Sequence, residues 1–408
     1  MSLSPSSIVA DAQHLTPEIQ QMRHDLHRHP EVGLQLPHTQ QRVLQWLEPL
    51  GFEVTLGKDL SSVTAVLRGG KAGGNAPAVL LRGDMDGLPV TEKTGVDYMS
   101  QTGTTMHACG HDLHTSMLAG AATLLAERRD QLPGDVVFMF QPGEEGYDGA
   151  GHMISEGVLD AAGRPVDAAF GLHVMSALGT SGQFFSKAGP VMSSSASLVV
   201  TVHGQGGHGS APFLAKDPVN AAAQMVTALQ TMVTRRFDVF DPVVISVGVL
   251  QAGQARNVIP DSARFEATVR SFSKQSFARL EAELPQLLQG IAQAHGVEAE
   301  VEFRGEYPVT INHQAETDFA TGISRELFGA DGFAEMASPL AGSEDFSKVL
   351  DKVPGSFLFL SALEPGVEAS QAAFNHSPYA HFDDSVLPRG TALYTQLAVA
   401  KLAELASA

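Results

Sequence analysis

Three short apolar runs constrain this chain more than any other feature: "APAVLLRGDMDGLPV" (76–90), "GDVVFMFQPGEEG" (134–146) and "VDAAFGLHV" (166–174). Each is continuously hydrophobic over a strand's length rather than alternating, which suits strands buried on both faces. Between the first two lies "HDLHTSMLAGAATLLAERRD", where Leu113, Met117, Leu118, Ala121, Leu124 and Leu125 keep helical spacing. Strand, helix, strand predicts an α/β fold with a mixed, mostly parallel sheet. Each run closes on acids or a histidine. Asp84 and Asp86 follow the first, Glu144 and Glu145 the second, and His173 sits near the end of the third. Ligands of open α/β sheets bind at the carboxyl ends of strands, so these clusters are expected to meet at one edge.

The middle of the chain reads differently. "SASLVVTVHGQGG" alternates, "DPVNAAAQMVTALQTMVTR" is helical with Asp217 as cap and Pro218 first, and "DPVVISVGVLQAG" and "SARFEATVRSF" are strands. "SKQSFARLEAELPQLLQGIAQAHG" is a second helix, open to a kink at Pro285, and "VEAEVEFRGEYP" a last strand. The order β-α-β-β-α-β is the ferredoxin-like motif. It predicts an inserted domain over 187–304 within a domain made of 1–186 and 305–408. The opening helix, "TPEIQQMRHDLHRHPEVG", is expected to take Thr16 as N-cap and to stop before Pro30. The Gly-rich stretch 68–77 reads as a loop between hairpin strands; it lacks the spacing of a phosphate cradle.

Charge excludes some partners. With 26 Lys and Arg against 45 Asp and Glu, the net charge is −19, which argues against nucleic acid and anionic membranes. A small acidic substrate needs only one local positive site. No apolar run reaches membrane-spanning length, and the start lacks the basic-then-apolar order of a secretion signal. One cysteine allows no internal disulfide, so a cytoplasmic location is expected.

That cysteine, Cys109, stands in "MHACGHDLH", two residues before His111. A turn ahead of a helix capped by Asp112 can aim both side chains at one point. A buried cysteine packed as a small hydrophobe is the plain alternative. Glu144 and Glu145 are adjacent, and side chains alternate along extended chain, so one can bind a cation while the other moves protons. A solvated loop explains them equally well. His173 and His376 can be an ordinary core residue and a turn residue. Ser343, Glu344 and Asp345 read as a helix N-terminus, with Ser343 as cap. One architecture accounts for all of these. Cysteine, histidine and glutamate together favour zinc or a similar ion, and five donors suit two metals sharing a bridge. A free glutamate nearby can then shuttle a proton.

At these residues the chain resembles the di-metal amidohydrolases, the family of aminoacylases, carboxypeptidase G, hippurate hydrolase and the auxin-conjugate hydrolases. The matching stretches include "MRHDLHRHPEVG", "LRGDMDGLPV", "MHACGHDLHTSMLAGAA", "FQPGEEGYDGAGHMI", "GLHV", "GQGGHGSAP", "NVIPD", "GSEDFS" and "FNHSPYAHFDDSVL", in order over residues 22–387. The resemblance implies two divalent metal ions per subunit, zinc first, with manganese, cobalt or nickel as alternatives. Cys109 would be the shared ligand, with Glu145 and His376 on one ion and His111 and His173 on the other. Glu144 would be the general base and then acid, and Asp86 would support the metal region. Asp84 stands where relatives with an aspartate bridge carry a histidine ligand, so it is not expected to bind metal. The inserted domain would serve as lid or dimerisation domain, with His208 polarising the scissile carbonyl and Asn257 and Arg270 near the substrate carboxylate. Phe213 departs from the family, where a histidine is common. The implied protein is a homodimer, or a tetramer, that hydrolyses N-acyl amino acids or related small amides. A dipeptidase or carboxypeptidase of the same family, a cysteine hydrolase using Cys109, and a non-catalytic binder are the competing readings.

Overall fold

The computed structural model describes residues 2–74 and 76–407. Its chain divides into two compact units. The larger takes the chain up to Val191, Ile311–Ser338 and everything from Lys348 on; the smaller takes Met192–Thr310 and Pro339–Ser347. The cuts therefore fall later than the sequence pattern suggests, and 339–347 belongs with the smaller unit. Ser193 is the reason on one side: its hydroxyl and amide bond to the carbonyls of residues 340–342.

The larger unit holds an eight-stranded sheet. Its order is Glu53–Leu56, Val63–Leu67, Asp135–Gln141, Ala78–Asp84, Ala168–Met175, Gly355–Ser361, Phe184–Ser186, Phe333–Glu335. The four strands from Asp135–Gln141 to Gly355–Ser361 are mutually parallel. Every residue of those four is buried, as continuous apolar runs require. The 68–77 loop is no hairpin, because Asp135–Gln141 lies between the two strands it joins. Its backbone instead bonds to the segment entering that strand, Gly70 N–H to Arg129 O and Lys71 N–H to Leu132 O.

The helix His111–Ala126 is buried almost all round, which its run of Ala, Gly and Leu permits. Two expected caps are corrected. Asp112 is not the N-cap; Gly110, in the left-handed conformation with φ 84°, holds that place. The Asp112 carboxylate is drawn instead to Arg23 Nε at 3.0 Å and His27 Nδ1 at 2.8 Å. Thr16 is not a cap either. It lies inside the helix Thr16–Arg28, and its hydroxyl donates to Ala12 O. That helix ends ahead of Pro30 as expected.

The smaller unit has four antiparallel strands in the order Val243–Ala252, Ser262–Ser271, Ser195–His203, Glu298–Tyr307. Two helices pack on one face. Pro218–Arg236 is capped by Asp217, and Lys274–His295 runs through Pro285. Leu198, Val200, Phe265, Leu280, Leu284 and Leu288 form the core. Ser343 caps no helix: the helical turn starts at Ser347, and Glu344 itself accepts the Phe346 N–H at 2.9 Å. Among the described residues no helix is long and apolar enough to cross a membrane.

Candidate metal centre

Parallel pairing puts Asp84 opposite Gln141, so the segments following both strands leave the sheet at the same edge. Asp86 then ties them together. Its two carboxylate oxygens accept the amides of Glu144 (3.0 Å) and Glu145 (3.1 Å), and one oxygen lies 3.3 Å from His111 Nδ1. The third parallel strand brings His173 to the same place. Cys109 Sγ is 3.3 Å from His173 Nε2 and 3.2 Å from His376 Nε2, and His376 Nε2 is 3.0 Å from Glu145 Oε1.

Two donor sets result. Ligand atoms of Cys109, His111 and His173 lie within 4.8 Å of one another, and so do those of Cys109, Glu145 and His376. Cys109 is common to both. Glu144 groups with His111 and Glu145 at the same spacing. The donors fit a cation by chemistry as well as position. His111 Nε2 is buried without a hydrogen bond, and Glu145 Oε1 is buried with the His376 ring beside it; a bound cation satisfies both atoms. His173 Nδ1 donates to its neighbour's carbonyl, Val174 O, at 2.8 Å, which leaves Nε2 as a lone-pair nitrogen.

The electrostatics agree. Burial pushes His173 well below its ordinary pKa, favouring the neutral, ligating form. Hydrogen bonds to Cys109 and then Glu145 raise His376 to about 10. Burial opposes protonation of His111, yet Asp84 and Cys109 outweigh it and hold the ring well above its usual range. The cluster attracts positive charge.

Three local features aim these groups. His376 has φ 72°, rare for a residue with a side chain, and its amide is held by Ala108 O at 2.8 Å. Gly110 admits no side chain: a Cβ there would meet Val174 Cγ2 at 2.4 Å. Asn375, absent from the sequence-derived site, clamps the two loops. Its amide donates to Cys109 O (3.2 Å) and Val174 O (3.0 Å), and its oxygen accepts the Ser176 N–H (2.9 Å). Its only sequence signal is adjacency to His376.

Other histidines have different work. His114 Nε2 accepts the Val174 N–H at 2.7 Å and Nδ1 faces Asp84 at 2.5 Å, so neither nitrogen is left for a metal. Asp84 is also engaged by Arg82 at 2.6 Å. His107 is fully buried, and burial pushes it down to about 3. Sequence reasoning also missed the buried set Arg23, His27, Glu92 and Asp112, whose His27 ring lies 6.3 Å from that of His107. The signal was present, since Arg23 and His27 lie i, i+4 on a face that also carries Met22 and Leu26.

Residues 80–400 match the sequence pattern of Peptidase family M20/M25/M40. This chain belongs to that family. Its M20-family relatives include an Arabidopsis thaliana IAA-amino acid hydrolase, 38% identical over 94% of this chain and 86% of that protein. The hippurate hydrolase of Campylobacter jejuni is 35% identical over 96% of this chain and 99% of its own length. Among solved M20-family structures, a Bacillus subtilis protein described as a dinuclear metal binding peptidase superposes with a TM-score of 0.81 at 30% identity, covering 96% of this chain and 99% of that one.

The other residues singled out in the sequence of this M20-family chain, His208, Asn257 and Arg270, belong to the smaller unit. His208 is exposed. Its Nδ1 accepts the Ser210 amide at 3.2 Å, so a neutral ring carries its proton on Nε2. Asn257 is exposed, and its carbonyl accepts the Gly209 N–H at 2.9 Å. Arg270 is half-buried and donates to Ser343 Oγ at 2.9 Å.

Proposed function

We propose that this protein hydrolyses the amide bond of N-acyl amino acids or related small conjugates, using two divalent metal ions. The observation that carries the reading is the pair of donor sets that share Cys109, with Glu144 beside them. Cys109, His111 and His173 would hold one ion, and Cys109, Glu145 and His376 the other. Bound there, two divalent ions supply Lewis acidity that polarises an amide carbonyl and acidifies a water. Glu144 takes the proton of the attacking water and returns it to the leaving amine. Asp86 keeps Glu144 and Glu145 turned to their separate tasks through their amides. A sulfur shared by two cations would be a poor nucleophile, so Cys109 would serve as a ligand. Zinc is the ion we favour among zinc, manganese, cobalt and nickel, because the shared ligand is sulfur.

From the smaller unit, His208 offers an Nε2–H suited to an acyl carbonyl, and Arg270 and Asn257 offer donors for a carboxylate. We include a homodimer in the reading. Its support is the strand Val243–Ala252, paired on one side only and exposing Val244 and Leu250. The substrate names of the relatives, an IAA-amino acid and hippurate, point to an acyl group on an amino acid. The test is a panel of N-acetyl, N-benzoyl and longer N-acyl amino acids, assayed before and after chelation. Turnover that vanishes on chelation and returns with metal is expected; full turnover in verified metal-free protein would sink the reading.

A further inference from the structure

Away from the candidate centre, a second group of metal-ligating side chains lies where the helix Thr16–Arg28 ends and the helix Pro37–Leu47 begins. Asp25 and His29 stand i, i+4 and project on one side. His38, at the start of the next helix, faces them. Its Nε2 is 3.4 Å from Asp25 Oδ2, and His29 Nδ1 is 3.8 Å from Asp25 Oδ1. The two imidazole rings are 4.4 Å apart. One ligand atom from each of the three residues lies within 4.8 Å of the others. Side-chain exposures of 40%, 29% and 34% for His29, Asp25 and His38 leave the cluster open to solvent.

Two polar atoms of the group lack a hydrogen bond. Asp25 Oδ2 and His38 Nε2 are buried atoms, and neither makes a hydrogen bond. Arg42 Nε approaches Asp25 Oδ2 at 2.7 Å, but that nitrogen also lacks hydrogen-bond geometry. The guanidinium is held elsewhere by Gln45 at 2.6 Å. Arg42 therefore neutralises one carboxylate oxygen without closing the site. His29 Nδ1 donates to Asp25 O at 2.9 Å, which leaves its Nε2 as the ligating nitrogen. With His38 Nε2 and the other carboxylate oxygen this makes a two-nitrogen, one-oxygen set that suits borderline ions of the zinc, nickel or copper kind and not magnesium or calcium.

The frame is fixed. Glu31 caps the second helix by accepting the amides of His38 and Thr39 at 3.1 and 2.9 Å, and its carbonyl accepts Gly87 N–H at 2.7 Å. We propose that Asp25, His29 and His38 form a third, peripheral site for a divalent transition-metal ion, completed by water. The site is independent of the two donor sets that share Cys109. Its ligands come from the end of one helix and the start of the next, which residues 29–36 join, so occupancy braces the turn that carries Glu31 against Gly87, next to Asp86.

The test uses the full chain with its resident metals in place. Zinc is titrated in by calorimetry, and copper is followed by electron paramagnetic resonance. We expect one further equivalent in the native chain, with nitrogen hyperfine structure on copper. His29→Asn and His38→Asn should each lose that equivalent while retaining the resident metal. Unchanged extra binding in His38→Asn, or copper without nitrogen ligands, overturns the proposal. His38→Asn is the safer variant because His38 Nε2 makes no hydrogen bond whereas His29 Nδ1 donates to Asp25 O, and a matching circular dichroism melt separates lost ligation from lost folding.

Discussion

The two large sheets of this molecule solve burial in opposite ways. In the larger unit the four central parallel strands are buried at every position. In the smaller unit the strand Ser262–Ser271 alternates between buried and exposed nearly residue by residue. A sheet covered on both faces has no solvated side for polar groups, so they gather at its carboxyl edge. There they must be paired, bonded or bound to a cation. A half-exposed sheet puts its charges in water and asks nothing of them. Buried Asp84, Asp86, His111, His173 and Glu144 belong to the first kind, and exposed Glu300 to the second.

That contrast can be broken at several points. Glu144→Gln should lower turnover by about 10²–10⁴-fold with metal content intact. Steady-state kinetics alongside metal analysis checks it, and loss of metal instead would mean that Glu144 and Glu145 exchange roles. Asp112→Asn comes next. Asp112 is fully buried between Arg23 and His27, and removing its charge leaves Arg23 only the longer pairing with Asp384 at 3.4 Å, at a cost of up to about 3–5 kcal/mol near neutral pH. Burial alone would raise the Asp112 carboxyl, but Arg23 and then His27 hold it well below the usual range. Its stabilisation is therefore complete above the unfolded value of about 3.9 and shrinks as pH falls below it. Urea unfolding at neutral and acid pH should show the native-to-variant gap narrowing in acid; a constant gap would mean the charge is not what matters.

Gly110→Ala should destabilise by about 1–3 kcal/mol, because φ is 84° and the new Cβ would lie 2.4 Å from Val174 Cγ2. Thermal melts measure this, and lower metal retention should accompany it, since Cys109 and His111 flank the position. Glu300→Gln on the solvated sheet face should stay within about 0.5 kcal/mol. A large effect there would show that the face is not free, and would favour a partner on it.

Much of this was legible in the chain. Continuous apolar runs show double burial, because no other globular strand tolerates a side chain of that kind on each face. Asp217 followed by Pro218 marks a helix start because the carboxylate satisfies the amide of Val219 at 2.9 Å. Where local rules failed, tertiary charge prevailed. Asp112 has cap chemistry, yet Arg23, 89 positions earlier, takes it. The 68–77 loop has hairpin chemistry, yet a strand from residue 135 onward enters between its ends.

The sequence by itself determined the element types, the buried strands and the residue kinds able to hold metal, because hydrophobic period and donor chemistry are local properties. Only the tertiary structure decided which donors meet. Cys109, Glu145, His173 and His376 converge because parallel register delivers strand ends to one edge, and because Asn375 and the left-handed His376 turn the last loop back onto Cys109. The same folding brings His38 of the next helix to Asp25 and His29, a pairing that the i, i+4 spacing of the latter two does not reveal.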